Sequence, residues 1–136
     1  MHLKRIIFLV LLTLHYFTYS LVAQTNTISK KEINDLTNQA SHYLKVANFT
    51  KSLEVSKIAL NRALFSKDYL STTISYNTIA ANYAELAQFD KAILYYNKAM
   101  VYASKINNDT LTNKINNNLG NIYCFEKKQY LKGISY

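Results

Sequence analysis

The stretch Asn77–Met100, NTIAANYAELAQFDKAILYYNKAM, interleaves small residues with aromatic ones. Ala80, Ala92 and Ala99 fall among tyrosines and phenylalanines at steps that match the period of an α-helix. Helices that pack tightly need small residues where their backbones come close, and rings to fill the remaining space. The stretch therefore predicts two helices packed side by side.

The composition favours a single all-α domain. The chain has 136 residues, of which 49% are hydrophobic, with two glycines and no proline. This hydrophobic fraction is enough for an ordinary core, and there is little glycine or proline from which to build tight hairpin turns. Enrichment in tyrosine, isoleucine and threonine would by itself also suit strands, so the helical period decides the class.

The same pattern recurs along the chain at a spacing of 40 residues. The equivalent positions are Ala40, Ala80 and Gly120, then Tyr43, Tyr83 and Tyr123, then Phe49 and Phe89, then Ala59 and Ala99. In the third copy Tyr130 lies 41 residues beyond Phe89, which predicts one residue added to the inner turn of that copy. Each copy has the pattern of a helix–turn–helix hairpin, so the chain is predicted to form a helical solenoid.

These residues resemble the tetratricopeptide repeat (TPR) family. The family pattern is a large residue, then L-G-x-x-Y in the first helix, and an aromatic residue with spaced alanines in the second. The matching positions here are Tyr76, Ile79, Ala80, Tyr83, Phe89, Ala92, Tyr96 and Ala99 in the second copy, and Leu119, Gly120 and Tyr123 in the third. The resemblance implies a TPR array at residues 30–136, with repeats at about 33–72, 73–112 and 113–136, the last incomplete.

The resemblance has three departures. The period is 40 residues where the standard repeat has about 34, and the proline that usually follows the second helix is absent. Gln39 and Ser52 stand in the first copy where the pattern prefers leucine and alanine. Longer helices would explain the longer period, and we expect the first copy to pack less tightly than the others.

Polar residues predict where three of the helices begin. Thr50 and Asp90 each follow the aromatic residue that precedes a second helix, and each is placed to accept hydrogen bonds from the amides of a first turn. Ser29 and Glu32 form an S-x-x-E capping box, which predicts the start of the first helix of the array.

Residues 1–23 have the features of a signal peptide. Lys4 and Arg5 precede an apolar run from Ile6 to Leu14, and Ala23 is small enough to lie before a peptidase cut. The alternative is an uncleaved membrane anchor over residues 6–23, although the second half of that segment is polar. The chain is therefore predicted to be exported to the periplasm or cell envelope, with membrane attachment as the alternative.

Removal of residues 1–23 would leave 14 basic and 8 acidic residues, a net charge of +6. These charges are spread along the chain and are not interleaved with aromatic residues in the way that nucleic-acid surfaces require. We therefore expect a solubilising surface and no nucleic-acid partner.

The resemblance implies a peptide-binding groove, because the first helices of TPR proteins line a concave groove that binds extended segments. The groove positions are Asn34, Thr37, Ser41 and Lys45, then Asn77, Ala81 and Glu85, then Lys114, Asn117, Asn121 and Phe125. Asparagine pairs with both polar groups of a peptide bond, and lysine pairs with carboxylates. The hypothesis is a groove for peptide backbone or an acidic segment; the alternative is that these asparagines are ordinary exposed residues.

No combination of residues indicates catalysis, a metal site or a cofactor. Cys124 is the single cysteine of the chain, and His42 is the single histidine beyond residue 23. Neither a cysteine-based metal site nor a nucleophile with an adjacent base can be recognised from them, and there is no glycine-rich phosphate loop. The sequence therefore predicts a protein that is not an enzyme.

Two functions remain in view. One is a protein- or peptide-binding scaffold of the cell envelope. The other is the extracytoplasmic sensor part of a larger signalling protein with a histidine kinase or DNA-binding output, because the signal-like segment and ~40-residue repeats are similar to bacterial envelope sensors of the Bacteroidetes type. The last copy stops within its second helix, which we interpret as a fragment; an apolar flank at Ile134 and Tyr136 would otherwise favour self-association or a partner chain.

Overall fold

The chain is helical throughout the residues that the computed structural model describes, which are 2–126 and 130–136 for the backbone and 5–19, 30–124 and 132–136 for the side chains. The helices are α1 (His2–Lys45), α2 (Phe49–Phe65), α3 (Tyr69–Glu85), α4 (Phe89–Lys105), α5 (Asp109–Asn121) and α6 (Tyr130–Ile134), with a π-helical turn at Ile122–Glu126. No strand occurs in this part of the chain, so the predicted all-α class is confirmed.

The chain divides into two compact units, Met1–Glu32 and Ile33–Tyr136. In the first unit the apolar side chains from Ile6 to Leu14 are exposed. Over the described residues, the structure contains no helix with the length and apolarity that a membrane crossing requires. Some side chains used in the sequence analysis lie outside the described residues, namely those of Lys4, Ala23, Ser29, Phe125 and Tyr130.

The second unit is built on a module of 20 residues. Helices α2, α3 and α4 are each 17 residues long, and three-residue connectors join them. Each connector described between α1 and α5 contains one residue in the left-handed region; these are Ala47, Lys67, Ala87 and Asn107, with φ of 57°, 56°, 54° and 48°. The predicted period of 40 residues is therefore a pair of 20-residue modules, and helices longer than those of the standard repeat account for it.

The connectors close the preceding helices with the same hydrogen bonds. The backbone N–H of Asn48 donates to the carbonyl oxygen of Tyr43 at 2.9 Å, and the N–H of Gln88 donates to that of Tyr83 at 2.8 Å. Together with a shorter bond from the left-handed residue, this pairing is the Schellman motif, which satisfies carbonyl groups that a helix end leaves without partners. The repeated closure reverses the chain in the same way at each connector.

The helices begin two residues earlier than the predicted caps. Asn48, Asp68 and Asn108 are N-caps, and the side chain of each accepts a hydrogen bond from a backbone N–H of the first turn. Thr50 and Asp90, which the sequence analysis placed as caps, lie inside the first turns of α2 and α4, so those two predictions were wrong. Ser29 lies within the bounds of α1, so the predicted capping box does not mark its start.

Small residues lie at the centre of the second unit. Ala80, Ala92, Ala99 and Ala103 are fully buried, and Tyr96 packs among them. The other repeat positions are buried or half-buried: Ala40, Ala59, Ile79, Leu119 and Tyr123 are buried, and Tyr43, Phe49, Tyr76, Tyr83, Phe89 and Gly120 are half-buried. Alanine at the helix contacts therefore allows close approach, and the rings fill space at the edge of the seam.

A buried polar bridge joins the first three helices. The hydroxyl of Ser52 donates to the carbonyl oxygen of Ala40 at 2.9 Å, and the side-chain amide of Asn82 donates to the same hydroxyl at 2.8 Å. Ser52 is fully buried. The looser packing that we expected around Ser52 is therefore not observed, because its hydroxyl has two partners where an alanine would have none.

The third copy accommodates its extra residue within its first helix. The helical stretch 109–126 is one residue longer than α3, and three residues separate it from α6, as in the other connectors. A π-helical turn holds more residues than an α-helical turn, so Ile122–Glu126 can absorb the insertion that the sequence analysis placed in the turn. Gly120 and Gly133 lie close together here; a Cβ on Gly133 would collide with the Cys124 thiol.

The connector geometry predicts that Ala87→Gly stabilises the protein. Alanine in the left-handed region is strained, whereas glycine is not, and the gain exceeds the entropy that glycine adds to the unfolded chain. We expect the free energy of unfolding, measured by urea denaturation, to rise by about 0.5–1 kcal/mol. Asn107→Gly is the control, because asparagine already tolerates this region. Equal stability changes at the two positions would contradict this explanation.

Candidate functional site

The second unit contains a cavity of about 940 Å³ on the faces of its first helices. The lining residues come from α1, α3 and α5, together with the start of α4 and the π-helical turn. They are Ser41, Leu44, Lys45, Asn77, Thr78, Ala81, Ala84, Glu85, Ala87, Phe89, Tyr96, Lys114, Asn118, Asn121 and Ile122. We call this cavity the groove.

Seven of the predicted groove residues line it, namely Ser41, Lys45, Asn77, Ala81, Glu85, Lys114 and Asn121. Three do not. Asn34 and Asn117 are exposed elsewhere, and Thr37 is buried with its hydroxyl donating to the carbonyl oxygen of Asn34 at 2.8 Å. The predicted position Phe125 has its side chain outside the described residues.

The sequence analysis missed Asn118 as a lining residue. It grouped Lys114, Asn117 and Asn121 on one face of α5, whereas the groove is lined by Lys114, Asn118 and Asn121. Both sets have helical spacing, so periodicity alone could not choose between adjacent asparagines. The buried positions Ile115 and Leu119 mark the opposite side of the same helix turns and would have favoured Asn118.

Asn77 is the most unusual residue of the groove. Its side chain is only 7% exposed, and its Oδ1 accepts no hydrogen bond from any atom that the structure describes. A buried acceptor without a donor lowers stability by about 1–3 kcal/mol. The groove therefore presents an acceptor that a donor from outside the fold, such as a peptide N–H, would satisfy.

A hydrogen-bonded pair lies beside this acceptor. Tyr96 from α4 is 2% exposed and forms a hydrogen bond with Asn118 from α5. Burial raises the pKa of the Tyr96 phenol far above its usual value, and the negative charge of Glu85 adds to the effect. The phenol is therefore neutral at physiological pH, and this side of the groove is polar without being charged.

Charged side chains from three helices also line the groove. Lys45 on α1 and Lys114 on α5 are exposed, and so is Glu85 on α3. Within the described ranges the structure has one salt bridge, Lys51–Glu54 at 3.1 Å, so these three side chains do not neutralise one another. The groove thus combines two available cations and one anion with neutral amides.

This arrangement suits the binding of an extended polar chain. Amides and a phenol can donate to and accept from a peptide backbone, while lysines can meet carboxylates. As far as the structure describes side chains, there is no group of three or more His, Cys, Asp or Glu residues that could bind a metal ion.

The fold and groove define a helical-hairpin repeat protein of the interaction type, and the comparison with protein families agrees. The family model for the tetratricopeptide repeat matches residues 32–100, just over half of the chain. The chain therefore belongs to the tetratricopeptide repeat family, whose members generally mediate protein–protein interactions and are typically not catalytic. No curated protein and no solved structure matched the chain.

The unpartnered acceptor leads to a stability prediction for Asn77→Leu. Leucine has a similar shape and needs no hydrogen bond, so the change removes the buried acceptor without leaving a cavity. We expect the free energy of unfolding to rise by about 1–2 kcal/mol in urea denaturation. The matched control is Asn117→Leu, an exposed position on α5 where stability should change by less than about 0.5 kcal/mol. A loss of stability in Asn77→Leu would show that the acceptor is already satisfied.

Proposed function

We propose that this chain is an exported scaffold of the cell envelope that holds an extended segment of a partner protein in its groove. The proposal rests chiefly on Asn77, a buried amide whose Oδ1 has no donor among the described residues and which lines the cavity. Family membership supports a protein partner, and Lys45 and Lys114 favour a segment that carries at least one carboxylate.

The groove accounts for peptide binding better than for a compact ligand. Its lining comes from three successive first helices, so a bound segment would cross several helices and meet polar side chains from each. Asn77 would accept from a backbone N–H of the segment, and Asn118 and Asn121 would pair with further backbone groups. Lys114 would receive a carboxylate, while Glu85 would disfavour one on the α3 side of the groove.

Photo-crosslinking in the native cell tests this function. A photoreactive phenylalanine analogue is placed at Asn121, which lines the groove, and in a second strain at Leu94, which is exposed on α4 and does not line it. We expect an envelope protein to be crosslinked only from position 121. Crosslinks of equal yield from both positions would contradict groove binding.

The captured segment is then synthesised, and its affinity for the full chain is measured by calorimetry. Loss of one hydrogen bond in Asn77→Ala should weaken binding about tenfold. Asn117→Ala, a matched asparagine outside the groove, should leave the affinity within about twofold. Equal losses in the two variants would overturn the assignment of the groove.

The proposed export rests on residues 1–23. Lys4 and Arg5 precede the apolar residues 6–14, whose side chains are exposed in the first unit. We expect the product of the complete reading frame to start at Gln24 and to fractionate with soluble envelope proteins, which N-terminal sequencing of each fraction would show. A membrane-bound product that keeps residues 1–23 would favour the anchor, and a much larger one would favour the sensor alternative.

Self-association is a separate proposal. Ile134 is 77% exposed and Tyr136 is 41% exposed, so apolar surface is available at the end of α6. Light scattering of the full chain would detect dimers.

A further inference from the structure

A row of tyrosines runs along the seam between α3 and α4. Tyr69, Tyr76 and Tyr83 lie on α3 at seven-residue spacing, and Tyr95 and Tyr102 lie on α4 at the same spacing. Their ring centroids are 5.5 Å apart for Tyr83 and Tyr95, 6.1 Å for Tyr76 and Tyr95, and 5.8 Å for both contacts of Tyr102. The two antiparallel helices thus build one continuous zigzag, which we call the tyrosine ladder.

Three lysines of α4 accompany the ladder, also at seven-residue spacing. The ammonium of Lys91 lies 5.3 Å from the Tyr83 centroid, that of Lys98 lies 5.0 Å from Tyr95, and that of Lys105 lies 4.6 Å from Tyr102. Lys98 and Lys105 also reach the remaining two rings, at 6.0 and 5.2 Å. Every ring of the ladder therefore has both a neighbouring ring and an ammonium group against it.

The ladder is a different surface from the groove. None of its five tyrosines or three lysines is among the residues that line the groove. Tyr76 and Tyr83 occupy repeat positions, but Tyr69, Tyr95, Tyr102 and the lysines do not, so the repeat alone does not require them. The three lysines are exposed, and Tyr69 is 39% exposed, which leaves the ladder open to solvent along its length.

The positive charge of the ladder is not neutralised within the described residues. The salt bridge found there joins Lys51 to Glu54, and no carboxylate of that part of the chain forms one with Lys91, Lys98 or Lys105. Lys91 donates only to the neutral side chain of Gln88, at 2.8 Å. The ladder therefore has three ammonium groups in a line, spaced by two helical turns, or about 10.5 Å.

What the ladder can offer a partner follows from the occupation of its rings. Nucleic-acid bases and sugars bind tyrosine rows by stacking on free ring faces, but here each ring already contacts a ring and an ammonium. The groups that remain available are ammonium N–H and phenol O–H, which both donate hydrogen bonds. A row of donors with net positive charge is complementary to carboxylates.

We propose that the tyrosine ladder docks an acidic segment of a partner protein, with carboxylates about 10.5 Å apart. In an extended chain, three residues span about 10 Å, so aspartate or glutamate at every third residue would match Lys91, Lys98 and Lys105. Each carboxylate would meet one ammonium and accept a further bond from a phenol. This second docking surface would let the chain hold one partner in the groove and an acidic segment on the ladder.

Fluorescence anisotropy with synthetic peptides and the full chain tests the proposal. The probe peptide is a labelled glycine–serine chain with three aspartates at every third residue, and the comparison peptide has the same composition with the three aspartates adjacent. We expect the spaced peptide to bind at least about tenfold more tightly than the adjacent one, and added salt to weaken it. Equal affinity for the two peptides, or no saturable binding, would overturn the proposed register.

Variants separate specific docking from general charge attraction. Lys98→Gln with Lys105→Gln should weaken binding of the spaced peptide by about tenfold or more, whereas Lys57→Gln with Lys67→Gln removes the same charge elsewhere and should change it less than about twofold. Lys98→Arg with Lys105→Arg should retain binding and, because it keeps the ring contacts, the melting temperature too. Equal losses in the two glutamine pairs, or loss of binding in the arginine pair, would overturn the proposal.

The outcome is independent of the groove. The groove variant Asn77→Ala should bind the spaced aspartate peptide as the unchanged chain does, since Asn77 is not part of the ladder. Loss of peptide binding in that variant would place the acidic segment in the groove and contradict a second surface. Binding of a single-stranded oligonucleotide through Lys98 and Lys105 in preference to the spaced peptide would also overturn the proposal.

Discussion

The left-handed connector residue is the constraint on which the second unit of this structure depends. Each described connector between α1 and α5 has three residues, and its middle residue has φ near +50°. That conformation lets two backbone hydrogen bonds close one helix while the next residue caps the following one. Three residues can then reverse the chain, so that successive 17-residue helices lie against one another. The alanine seam and the groove both follow from this reversal.

The sequence predicted the repeat because packing uses few residue types. Ala40, Ala80 and Gly120 had to be small, and Tyr83 had to be large, so a 40-residue period was visible. The 20-residue module was not recognised, because Ala47, Lys67, Ala87 and Asn107 share a backbone conformation and no side-chain chemistry. The residues that follow them, Asn48, Asp68, Gln88 and Asn108, are all polar, and this recurrence could have shown the module and corrected the predicted caps.

The candidate site was predictable in outline for the same reason. Residues on one face of a helix share spacing, so most of the groove followed from the repeat register. Two features required the structure. Asn117 and Asn118 have equivalent chemistry, and only the burial of Leu119 and Ile115 orients α5. The orphan acceptor of Asn77 depends on the absence of donors among its described neighbours, which no sequence pattern encodes.

The second hairpin, α3 with α4, carries both proposed surfaces. Asn77 on α3 belongs to the groove, while Tyr76, one residue earlier, belongs to the tyrosine ladder, so adjacent side chains of one helix serve different surfaces. The central claim is that Asn77 accepts a hydrogen bond from a partner. Its side-chain amide signal, followed by nuclear magnetic resonance during titration with the crosslinked segment, tests this most directly. The account predicts a saturable shift for Asn77 with none for Asn117; an unchanged Asn77 signal at saturation would contradict it.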